Sequence, residues 1–108
     1  MKIPFQNNLI IDNTKISNYL LDLLHPSGKD KAEFFISHKC TAESLKELLL
    51  KQAKEENYLN KSTTPFGEKY IIESIILLPD LTPFKLRSVW IVLNNQNFTT
   101  FVTAYPVK

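Results

Sequence analysis

The apolar residues change their spacing midway through the chain, and that change limits the architectures open to it. In the first half, Ile16, Tyr19, Leu20, Leu23 and Leu24 recur at i, i+3, i+4, i+7 and i+8, the stripe of an amphipathic helix, with Asn13 or Thr14 as its N-cap. The stripe ends at His25-Pro26-Ser27-Gly28, where proline disfavours a helical residue before it and glycine supplies a turn. A second helix is expected after Ser27, which can cap it, with Asp30 in its first turn and Ala32, Phe35 and Ile36 or Phe34 as apolar contacts, stopping near Lys39-Cys40. Thr41 is the next N-cap. It opens a third helix with Glu43 in the first turn and a buried edge of Leu45, Leu48 and Leu49, fraying at Lys54-Glu55-Glu56-Asn57.

The polar stretch from Asn60 to Gly67 reads as a surface connection. Beyond it, Tyr70 to Leu78, Lys85 to Leu93 and Phe98 to Val107 are rich in Ile, Val, Thr and aromatics, the composition of strands. The connections at Pro79–Pro83 and Asn94–Asn97 are short enough for hairpins, so these strands should pair antiparallel in chain order. Phe5 to Ile11 either adds a short strand or packs against the sheet edge. Helices grouped before a meander predict an α+β fold, with N-terminal helices packed on one face of a twisted antiparallel sheet. In the last strand, strict alternation would put Thr99, Phe101, Thr103 and Tyr105 on one side and Thr100, Val102 and Ala104 on the other. In the middle strand Arg87, Val89 and Ile91 share one side and Ser88, Trp90 and Val92 the other.

At 108 residues, 44% hydrophobic and 22% charged, the chain suits a single domain over residues 1–108 with a real core. Its one cysteine, Cys40, excludes an internal disulfide and a cysteine-rich zinc site, and fits a reducing compartment, so cytoplasmic folding is expected. The N-terminal residues lack the pattern of a secretory signal, and no window approaches the ~20 apolar residues of a transmembrane helix. A net charge of +2 is too small to announce a nucleic-acid binder by electrostatics alone, so a phosphate site would have to be local. There is no Gly-rich phosphate loop, no metal-ligand spacing and no Ser-His-Asp context, which leaves no motif for a cofactor.

The residues that can carry chemistry are few. His25 and Lys31 flank a turn into a helix N-terminus, a place where backbone N–H groups favour an anion. An imidazole there can act as acid or base, or can cap the preceding helix; Lys31 can charge the same turn or be a solvated helix lysine. His38 reads as a surface helix residue. Thr99, Thr103 and Tyr105 offer hydroxyls for phosphate oxygens, or are ordinary strand formers. Arg87 can clamp a phosphate or serve a surface ion pair, and Trp90 reads as core rather than as a base platform.

The string His25-Pro26-Ser27-Gly28-Lys29-Asp30-Lys31-Ala32-Glu33-Phe34-Phe35 resembles the HPxGxxKAxxF motif of a small bacterial domain found beside a partner gene and at the tails of polymorphic toxins. Ile3-Pro4-Phe5, Ile10-Ile11-Asp12, Gly67-Glu68-Lys69-Tyr70, Arg87 three residues before Trp90, and Val102-Thr103-Ala104-Tyr105-Pro106 extend the resemblance over nearly the whole chain. That family is similar to the barnase, EndoU, colicin-nuclease and RelE group of metal-independent ribonuclease toxins, built from N-terminal helices and an antiparallel sheet of about four strands. The resemblance implies His25, Lys31, Thr103 and Tyr105 as catalytic residues and Arg87 and Trp90 as substrate contacts, to which the hydroxyl row of the last strand adds Thr99. It also implies an RNA substrate, no cofactor, and neutralisation by a cognate acidic antitoxin. One departure bears on activity: family members often carry Pro-Arg shortly before the Val-Thr, where this chain has Thr99-Thr100. Two further readings remain: a catalytically silent protein-interaction module of the same fold, and a small-molecule site at the His25 turn.

Overall fold

The computed structural model describes residues 1–12 and 41–107. Chain order gives β1 (Leu9–Ile10), α1 (Ala42–Glu55), β2 (Asn60–Thr64), β3 (Gly67–Leu77), β4 (Pro83–Leu93) and β5 (Thr99–Val107). The two helices expected before residue 40, with His25, Lys31, His38 and Cys40, lie outside the described residues.

The three strands expected in the second half form, and they pair antiparallel in chain order through the expected hairpins. The sheet has five strands in the order β1-β5-β4-β3-β2, and it is mixed rather than wholly antiparallel, because Leu9–Ile10 pair parallel with Thr99–Thr100. The segment from Asn60 is a correction. It forms an edge strand, Asn60 opposite Ile71 through Thr64 opposite Gly67. Its residues are almost all exposed, so neither side carries the apolar alternation that marks a strand in sequence.

Gly67 begins β3 where the chain runs hard against β4: a Cβ there would lie 2.1 Å from the Val92 carbonyl oxygen. Only glycine permits that approach. Thr64 Oγ1 closes the same hairpin, accepting from the Phe66 and Gly67 amides and donating to the Gly67 carbonyl.

Helix α1 starts where the sequence predicts. Thr41 Oγ1 accepts from the Ser44 amide, and Ser44 Oγ accepts from the Thr41 amide, a reciprocal cap that satisfies two otherwise orphaned donors. Leu45 and Leu49 are fully buried against the sheet, each contributing about 2 kcal/mol of apolar burial, while Leu48 is half-buried at the helix flank. The core on this side also takes Ile3, Tyr70, Ile72, Leu86, Trp90, Phe101 and Ala104. Gln52 is the polar member of the packed layer. Its Nε2 donates to Ser74 Oγ and the Leu86 carbonyl, and its Oε1 accepts from Ser88 Oγ, which itself accepts from Trp90 Nε1. Every buried polar atom of that chain has a partner, which is what makes its burial tolerable. Among the described residues no helix is long and apolar enough to cross a membrane.

Candidate functional site on the sheet face opposite the helix

A single irregularity decides which side chains share a face. The β4–β5 register runs from Lys85 opposite Val107 to Val89 opposite Thr103, then resumes with Trp90 opposite Phe101, so β5 holds one extra residue. This bulge breaks the strict alternation expected from the sequence. Thr99 and Phe101 lie on the α1 side with Trp90, and all three are fully buried. Thr103 and Tyr105, past the bulge, stand on the opposite face with Arg87 and Val89. Ala104, expected to oppose Phe101, joins it in the core for the same reason.

On the far face one registered row crosses three strands: Glu73 on β3, Arg87 on β4 and Tyr105 on β5. Arg87 Nη2 donates to Glu73 Oε2 at 2.8 Å, and Nη1 reaches Tyr105 Oη at 3.5 Å with the guanidinium 5.9 Å from the phenol ring centre. Lys85 adds a second cation 3.6 Å from Glu73 Oε1. The next row places Thr103 beside Val89, so residues 103 and 105 share a face with their Cα atoms one strand period apart, about 7 Å.

The electrostatics follow from these contacts. The hydrogen bond from Arg87 holds the Glu73 carboxyl below its usual range; partial burial opposes this, and the Arg87 and Lys85 charges assist it. The Arg87 guanidinium is pushed up in turn, first by Glu73 and then by the Tyr105 hydroxyl. Arg87 is therefore a fixed, oriented cation on a half-buried surface. Its Nε is buried without a hydrogen-bond partner among the described residues.

Of the candidates read from sequence, Arg87, Thr103 and Tyr105 come together. Thr99 and Trp90 do not join them: the Thr99 hydroxyl donates to the Pro4 carbonyl at 2.6 Å, and Trp90 packs edge-on against Phe101 with its N–H spent on Ser88. His25 and Lys31 lie outside the described residues. Glu73 was missed, although a signal existed. It is the one carboxylate inside the run Tyr70-Ile71-Ile72-Glu73-Ser74-Ile75-Ile76-Leu77, and an acid in so apolar a strand needs a cation opposite it.

The fold is similar to that of a chain of the solved structure described as "Contact-dependent growth inhibition toxin - immunity protein complex from Klebsiella pneumoniae 342". The two superpose with a TM-score of 0.73 at 18% identity, over 91% of this chain and 99% of that one. At that identity the likeness is one of fold. The chain belongs to the family described as Domain of unknown function (DUF6883), which matches residues 2–108. No curated protein matches the sequence.

Proposed function

We propose that the protein is an RNA-cleaving toxin domain that uses the substrate's own 2′-hydroxyl as nucleophile. In that reaction the 2′-oxygen attacks the adjacent phosphorus and the P–O5′ bond breaks, leaving a 2′,3′-cyclic phosphate on one product and a 5′-hydroxyl on the other. A base takes the 2′-proton and an acid returns one to O5′. Because the nucleophile is intramolecular, the protein's task is to position the phosphate and stabilise its developing charge, which requires no metal. His25 moves the proton and Lys31 offsets the charge on the phosphorane. Thr103 and Tyr105 orient the phosphate or share the proton transfer, with Arg87 as the clamping cation.

The observation that carries this reading is the bulge in β5, which turns the Thr103 and Tyr105 hydroxyls out of the core and onto the face of the Arg87 guanidinium. The fold shared with a chain from a toxin–immunity complex supports a toxin context, and with it a cognate protein that neutralises the domain. The direct test is incubation of the purified protein with RNA in EDTA. Cleavage leaving cyclic-phosphate ends, lost in both His25→Ala and Lys31→Ala, is the expected result; RNA left intact across several substrates overturns it.

One observation favours a second reading, a catalytically silent interaction module. Glu73 already neutralises Arg87, so the face offers less free positive charge than its residue types suggest. Intact RNA together with tight binding of a protein partner is the outcome that selects it.

A further inference from the structure

Strand β2 is too short for its neighbour. It covers β3 only from Gly67 to Ile71, and the pairing is extended by the Leu59 amide donating to the Ile71 carbonyl. Since Ile71 turns its peptide groups away from β4, alternation turns those of Glu73, Ile75 and Leu77 the same way, along an edge β2 does not reach. Ile75 is 70% exposed and Leu77 56% exposed on this stretch. Natural sheets shield such edges with charges, prolines or a covering element, and no charged residue or proline occurs from Ser74 to Leu78.

Beside the open edge runs a groove between β3 and the flank of α1. Its two sections measure about 260 and 350 Å³ and share Leu48, Lys51 and Leu77. The floor includes Ser74 and Ile76, and the helix wall is set by residues from Ser44 to Glu55. Eleven helical steps give a wall of about 16 Å, the length of five or six extended residues. Among the described lining residues the wall carries Glu47, Glu55 and Glu56 against one base, Lys51.

We propose that the open half of β3 and the acidic flank of α1 form a docking site for an extended strand of a protein partner, one that alternates apolar and basic residues. The peptide groups of β3 beyond Ile71, which no other strand among the described residues pairs, recognise the strand's backbone, the Leu48–Ile76 region takes an apolar side chain, and the glutamates select for positive charge. A second copy of this chain fits less well. Pairing β3 edge to edge about a twofold axis turns one α1 flank toward another, with Lys51 of each copy, among the described lining residues, facing three glutamates. The groove lies on the α1 side of the sheet, whereas the side chains of Glu73, Ile75 and Leu77 share the Arg87 face; the proposal does not rest on the nuclease reading.

The test uses the full chain and two acetylated hexapeptides, one alternating valine with lysine and one alternating valine with glutamate, followed by amide chemical shifts. The lysine peptide should bind saturably below about 1 mM, with shifts centred on residues 73–77 and the groove side of α1, and at least tenfold more tightly than the glutamate peptide. Ile75→Pro removes an N–H that faces the open side, so the β4 ladder survives while binding weakens at least tenfold. Glu47→Lys with Glu55→Lys, both at exposed positions, should reverse the preference between the peptides. No shifts up to several millimolar, shifts confined to another surface, equal binding of both peptides, or a dimer of the chain abolished by Ile75→Pro would each overturn the proposal.

Discussion

Glu73 ties the candidate face together, and its titration should be visible in the stability of the protein. Its carboxyl is held below the ordinary value by the Arg87 hydrogen bond, so the folded state binds that proton less readily than the unfolded chain does. The resulting stabilisation is fully present above the unfolded carboxylate value of about 4.3 and is lost as pH falls through the lower folded value. Urea midpoints measured from pH 7 to pH 2.5 should decline below about pH 4.5 in the wild type, with a shallower decline in Glu73→Gln; superimposed curves would remove the ion pair from the energetics. Gln52 is the counterpart on the helix side. Gln52→Ala strands Ser74, Ser88 and the Leu86 carbonyl and opens a void, at an expected cost of about 2–4 kcal/mol in urea unfolding. Neither residue drew notice in the sequence, because a partner twelve or more positions away leaves no local pattern; the lone acid in an apolar strand was the only clue to Glu73.

At the scale of elements, what was legible depended on whether one side of an element is buried. Strands β3, β4 and β5 each bury a face and so announce themselves, and Thr41 is readable as a cap because capping is local chemistry. Strand β2 is solvated on both sides and reads as loop. The bulge escaped for another reason: alternation presumes an unbroken ladder, and Val102-Thr103 gives no local sign that one residue is extra. Had the ladder been regular, Thr103 and Tyr105 would have shared the core side with Thr99 and Phe101. Gly67 offers a test of the β2–β3 hairpin. Gly67→Ala should cost about 3 kcal/mol, since the new methyl meets backbone atoms of Val92 and Leu93 that cannot step aside, and amide exchange should quicken first in β2. A loss below about 0.5 kcal/mol would mean that the strands separate there with little penalty.

For the whole molecule, the sheet divides the work. One face is sealed by α1 and a fully hydrogen-bonded polar chain centred on Gln52, and it takes Trp90 and Thr99 into the core. The other presents Arg87, Thr103 and Tyr105, three of the seven candidate residues named from the sequence, with Glu73 fixing the arginine in place. Rigid support behind a polar face is what positioning a phosphodiester demands. The most direct measurement is the single-turnover rate of RNA cleavage in EDTA for the wild type, Tyr105→Phe and Thr103→Val, beside Thr99→Ser on the buried side. Wild-type cleavage, a loss of about 100-fold or more in the first two variants at unchanged stability, and near wild-type rates in Thr99→Ser are expected. Wild-type protein that leaves RNA uncut, or full activity in both far-face variants, would contradict the assignment of that face as a nuclease site.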